Sequence, residues 1–193
     1  MGGRLTARVV GGVFVGGASR RMNRRPKGLL QAPGGGSIVE RLFAVLEECG
    51  IDDTVLVGAC TEYSELGLPS IEDQPPGIGP LGGLVSLLRR SLDGFAVALA
   101  CDMPFVSDAI VRSLLDAPAA AVVAPRCGGK WQPLCARYAA AEVLPLAEQC
   151  VARGEHSLQR LLTMACATPL PLPEGRCREL RDWDTPEDVV NDR

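Results

Sequence analysis

Seven consecutive apolar residues, Phe95 to Cys101, break off abruptly at Asp102-Met103-Pro104. A run with no polar position offers no face to water, so as a strand it must be covered on both sides, the environment of a parallel sheet between two layers of helix. Pro104 biases the residue before it away from helix and marks the end of the strand. Asp102 is thereby left at the carboxyl end of a buried strand. Val9 to Val15 is a second, nearly continuous apolar run, ending in Gly16-Gly17, and Thr54-Val55-Leu56-Val57 is a third, shorter one.

Between the runs the apolar spacing changes to that of helices. Ile38, Val39, Leu42, Phe43, Val45 and Leu46 predict an amphipathic helix that Ser37 caps and Gly50 stops. Leu81 to Leu88, Ile110 to Leu115, Ala139 to Cys150 and Ser157 to Leu162 read as further helices, with Ala121-Val122-Val123-Ala124 as another strand. Thr185-Pro186-Glu187-Asp188 has the cap, the first-turn proline and the acid of a helix start. Alternating elements predict an α/β fold with a mostly parallel sheet covered by helices on both faces. The 193 residues, 47% of them hydrophobic, suffice for one sizeable core, so 1–193 is expected to be a single domain. Such sheets bind ligands at the carboxyl ends of their strands, and the loop from Gly16, Asp73 and Asp102 all fall on that edge.

A net charge of -3 and scattered arginines give no broad attraction for nucleic acid. The eight cysteines form no C-x-x-C pair and often sit in apolar runs, so reduced, buried thiols are expected. Four glycines interrupt the apolar stretch after Arg4 and Arg8, unlike a signal peptide, and Met1-Gly2-Gly3-Arg4-Leu5-Thr6 matches a lipidation pattern only loosely. No run reaches the ~18 apolar residues of a membrane span, and a cytoplasmic protein is expected.

Gly16-Gly17-Ala18-Ser19-Arg20-Arg21-Met22 with Lys27 combines backbone freedom with positive charge, which suits a polyphosphate held by N–H groups and cations. The loop is neither a P-loop nor a dinucleotide fingerprint, and taken alone it equally describes an ordinary surface turn. Asp102 suits Mg2+, a hard cation that prefers oxygen, although an aspartate there also serves as a helix cap. At the chain's end Thr185 is the better cap, leaving Asp184 for a second metal ligand. His156, at a helix entrance, has no feature of a general base. Trp131 to Tyr138 reads either as a plain strand or as aromatic faces lining a pocket.

Four motifs, Gly16 to Met22 with Lys27-Gly28-Leu29-Leu30, Gly79-Pro80-Leu81-Gly82-Gly83-Leu84, Cys101-Asp102-Met103-Pro104 and Asp184-Thr185-Pro186-Glu187-Asp188, resemble the MobA family of molybdenum cofactor guanylyltransferases, in the right order and over nearly the whole chain. Ser70 to Gln74, Trp131 to Tyr138 and Gly154 to Leu158 are also similar to family segments. The resemblance implies a three-layer, Rossmann-like nucleotidyltransferase fold and transfer of GMP from GTP to the phosphate of molybdopterin. By matched position, Phe14, Val15, Gly16 and Gly17 would contact the nucleotide, Arg21 and Lys27 its phosphates, Asp73 the nucleoside and Asp102 magnesium, with Asp184 beside it. Arg21, Lys27 and Asp102 would be catalytic, and molybdoenzyme-maturation proteins would be partners. The chain departs from the family pattern at Phe14-Val15, Asn23, Asp182 and Asp184, and it has Val57-Gly58-Ala59 where many members place an asparagine that helps hold guanine. A cytidylyltransferase on the same cofactor, a sugar-phosphate nucleotidyltransferase and a catalytically silent cofactor-delivery module remain as alternatives.

Overall fold

The computed structural model describes residues 7–16, 26–58 and 61–183. Among them the strands are β1 (Arg8–Phe14), β2 (Asp53–Val57), β3 (Ser70–Ile71), β4 (Gly94–Ala100), β5 (Val122–Cys127), β6 (Lys130–Trp131), β7 (Cys135–Ala139) and β8 (Thr168–Leu170). The helices are α1 (Ile38–Glu48), α2 (Pro80–Arg90), α3 (Asp108–Asp116), α4 (Ala140–Ala152) and α5 (Leu158–Met164). The sheet runs β3-β2-β1-β4-β7-β5-β6, with β8 beside β5. β1, β2, β3 and β4 pair in parallel, as do β5 and β8.

β7 differs from the expected parallel pattern. It lies antiparallel between β4 and β5, because the β5–β6 hairpin reverses the chain before it re-enters the sheet. Its register, Phe95 against Ala139 and Leu99 against Cys135, buries all five of its residues.

Helices α1 and α5 start at serine caps. At α1 the Ser37 hydroxyl accepts from the Glu40 N–H at 3.2 Å, and the Glu40 carboxylate accepts from the Ser37 N–H at 2.7 Å, which satisfies two donors that a helix start leaves open. This bonding holds the Glu40 carboxyl below its usual range. α1 and α3 cover one face of the sheet around Leu42, Leu46, Val97, Leu99 and Ile110. α2, α4 and α5 cover the other around Leu84, Leu88, Ala98, Tyr138 and Leu161. The three layers expected from the sequence are therefore present. Among the described residues no helix is long and apolar enough to cross a membrane.

One cysteine expectation is overturned. Cys127, at the end of β5, and Cys177, in a short 3-10 helix (Arg176–Leu180), are joined in a disulfide with a Cα–Cα distance of 5.8 Å. Their separation of 50 residues hides the pair from any spacing rule, and only the hairpin and the returning chain bring them together. Cys101, Cys135 and Cys150 are free and buried, as expected, whereas Cys49 is half-buried and Cys166 exposed.

Candidate active site

The carboxyl ends of β1, β2 and β4 meet on one edge. The Phe14 carbonyl accepts from the Cys101 N–H at 3.0 Å, and the Val15 N–H donates to the Val57 carbonyl at 3.0 Å. These bonds carry the strand pairing just past Phe14 and leave Gly16 exposed beyond it. Phe14 and Val15 are buried.

Lys27 and Asp102, 75 residues apart in sequence, come together here, with Lys27 Nζ donating to Asp102 Oδ2 at 3.4 Å. Their side chains are 16% and 27% exposed, enough for a solute to reach them. Each is held from behind. The Gly28 N–H donates to the Tyr63 hydroxyl at 3.1 Å, fixing the turn that carries Lys27. The Asp102 carbonyl accepts from the Trp183 N–H at 2.8 Å, and Trp183 is itself buried, edge-on to Phe105. Neither Tyr63 nor Trp183 stands out in the sequence as a site residue, since each acts through fold contacts that no local pattern announces. Cys101, next to Asp102, is no candidate nucleophile: burial, reinforced by the Asp102 charge, pushes its thiol up to about 12.

Asp73 sits across the edge, over the start of α2. A Cβ on Gly83 would lie 2.9 Å from Asp73 Oδ1 and 2.7 Å from Val57 Cγ1, so the bare glycine is what lets the carboxylate and β2 approach the helix. Oδ2 of Asp73 would be 3.9 Å from a Cβ on Gly16. Burial raises the Asp73 carboxyl above its usual range. Gly83→Ala is expected to push Asp73 off the helix and to cost about 1–3 kcal/mol of stability through overpacking. Thermal unfolding measures this; an unchanged Tm would show that the contact gives way freely.

The structure thus brings together Phe14, Val15, Gly16, Lys27, Asp73 and Asp102 of the residues expected from the sequence. Gly17, Arg21 and Asp184 lie outside the described residues, as does the helix expected from Thr185. A cavity of about 610 Å³ is at the opposite edge, beside Val9 and Asp53 near the amino ends of β1 and β2. Arg8 and Arg90 both pair there with Asp53. It is remote from the Lys27–Asp102 pair and has no part in the site.

Residues 11–169 match the family model of the MobA-like NTP transferase domain. The chain belongs to the MobA-like NTP transferase family. The molybdenum cofactor guanylyltransferase of Pseudomonas putida is 33% identical, the match covering 91% of this chain and 92% of the relative. In fold, the chain is similar to the molybdopterin-guanine dinucleotide biosynthesis protein A of Archaeoglobus fulgidus, with a TM-score of 0.74 and 23% identity over 94% of this chain and 95% of that one. It is also similar to the 2-C-methyl-D-erythritol 4-phosphate cytidylyltransferase of Thermus thermophilus, with a TM-score of 0.63 and 15% identity over 93% and 95%. MobA-like family membership makes the chain a nucleotidyltransferase.

Proposed function

We propose that the protein transfers GMP from GTP to the terminal phosphate of molybdopterin, releasing pyrophosphate, as a single-domain cytoplasmic enzyme that uses Mg2+ and passes its product to molybdoenzyme-maturation proteins. The observation that carries this reading is the Lys27–Asp102 pair on the carboxyl edge, in a chain whose P. putida relative is named for guanylyl transfer.

The donor chemistry fits magnesium. Among the described residues no three His, Cys, Asp or Glu side chains gather into a cage, and Mg2+ is commonly held by one or two carboxylates together with substrate phosphates. Asp102, joined by Asp184, would hold it. Bound there with the nucleotide, the ion would neutralise phosphate charge and polarise the phosphoryl oxygens.

A phosphate oxygen of the acceptor attacks the α-phosphorus in line as the bond to the bridging oxygen of pyrophosphate breaks, and the electron pair leaves with pyrophosphate. The nucleophile is already anionic near neutral pH and needs no base. That agrees with a sequence whose one histidine, His156, is exposed at the entrance of α5, and with the buried Cys101. Lys27, with Arg21, carries charge that opposes the negative charge developing on pyrophosphate. Asp73 and the backbone from Phe14 to Gly17 orient the nucleoside.

With GTP, Mg2+ and molybdopterin, the expected result is acceptor-dependent pyrophosphate release and a guanine dinucleotide product seen by mass spectrometry. Faster release with CTP would contradict the base assignment. Cofactor binding without nucleotide consumption would contradict the enzyme.

A further inference from the structure

Two consecutive acids, Glu72 and Asp73, follow β3. Ile71 packs against the core beneath α2. Val15, Leu56 and Tyr63 belong to the core that α1 covers. Beside them a cavity of about 230 Å³ opens, with Gly58, Ile71 and Glu72 in its lining. Gly58 lies between the cavity and Gly16: at φ +111° it has no side chain, and a Cβ would lie 3.0 Å from the Gly16 nitrogen. Asp73, one residue further, turns back to α2 and Gly83.

Asp73 is thus the carboxylate beside Gly16, and Glu72 the carboxylate of the adjoining cavity. No hydrogen bond or ion pair to the Glu72 carboxylate is made among the described residues, whereas its backbone carbonyl is fixed by the Ser86 hydroxyl at 2.7 Å. An ionised carboxylate only accepts. Guanine alone among the common bases presents two adjacent donors, N1–H and N2–H, to such a fork; cytosine and adenine set an acceptor beside their amino group.

We infer that Glu72 is a base-reading residue, accepting from N1–H and N2–H of guanine in this cavity. The inference rests on the proposed binding of a nucleoside triphosphate at this edge. It supplies a guanine contact that the sequence lacks at Val57-Gly58-Ala59, where the family commonly has asparagine.

Calorimetric titration of GTP and of inosine triphosphate, which lacks only the 2-amino group, into wild type and Glu72→Gln in Mg2+ tests it. The wild type is expected to bind GTP roughly 10- to 100-fold more tightly than inosine triphosphate, and the variant to bring the two within about threefold, since a hydrogen bond to a charged acceptor is being removed. A wild type that does not discriminate, one that binds CTP more tightly than GTP, or a variant that keeps the full ratio would overturn the inference. If that variant does not fold, Glu72→Ala read in the same way decides, with loss of the ratio supporting the inference and a full ratio overturning it. A ratio as expected without transfer to molybdopterin would leave Glu72 as the base reader and refute the proposed reaction.

Discussion

Asp102→Ala is expected to lower metal-dependent GMP transfer by about 10²- to 10³-fold, the scale on which removing one electrostatic contact to a developing charge is felt. The fold should survive. The Lys27–Asp102 contact is partly exposed, and ion pairs of that kind contribute roughly 0–1 kcal/mol. The bond that anchors Trp183 is to the backbone carbonyl of residue 102, which alanine keeps. Circular dichroism and Tm near those of wild type, with turnover lost, is therefore the expected pair of results. Wild-type turnover in the variant would remove Asp102 from the reaction.

Arg137→Met should have the largest effect on stability. Arg137 lies fully buried in β7, and no carboxylate pairs with it among the described residues. Its charge is held instead by the end of α3 and the turn after it: Nη1 donates to the Leu115 and Ala117 carbonyls at 3.1 and 2.9 Å, and Nη2 to the Pro118 carbonyl at 2.7 Å. The carboxyl end of a helix carries partial negative charge, which suits a cation. The guanidinium also stacks over Phe95, 5.1 Å from the ring centroid. Burial holds its pKa below the ordinary arginine value. Methionine would fill the space but leave three carbonyls without their donor, at a cost of about 2–4 kcal/mol net of the relieved desolvation. For a chain of this length that is a fall in Tm of roughly 5–15 °C. A Tm within about 2 °C of wild type would show that these carbonyls find other partners.

Arg137 also shows where the sequence becomes opaque. In Cys135-Ala136-Arg137-Tyr138-Ala139 the charge reads as a solvent-facing position, so the stretch does not announce a central strand. Its acceptors are 19 to 22 residues upstream and face it only once α3 has docked. Phe95 to Cys101, by contrast, is legible because seven apolar residues have a single solution in an α/β layer, and Ser37 to Glu40 because a capping box is a local bond pattern. β6 and β8, with two and three residues, are too short for any periodicity to register.

The site divides along the same line. Lys27, Asp73 and Asp102 can be picked out because each follows a strand or a glycine turn that places it on the ligand edge. Tyr63 and Trp183, which hold Lys27 and Asp102 in place, cannot, since their partners are set by long-range packing. Glu72 is a middle case. Its position next to Asp73 is plain in the sequence, but the cavity it lines is closed by Val15, Leu56 and the segment around Tyr63 and exists only in the folded chain. The disulfide between Cys127 and Cys177 belongs with Arg137: composition pointed to reduced thiols, and only the folded chain pairs these two.

The most direct measurement is anomalous scattering from a crystal grown with GTP and Mn2+ in place of Mg2+. The expected map has a manganese peak within bonding distance of an Asp102 carboxylate oxygen and of the triphosphate, with Lys27 Nζ on the phosphates. A manganese peak away from Asp102, or a triphosphate bound at any edge other than the carboxyl ends of β1 and β4, would contradict the account.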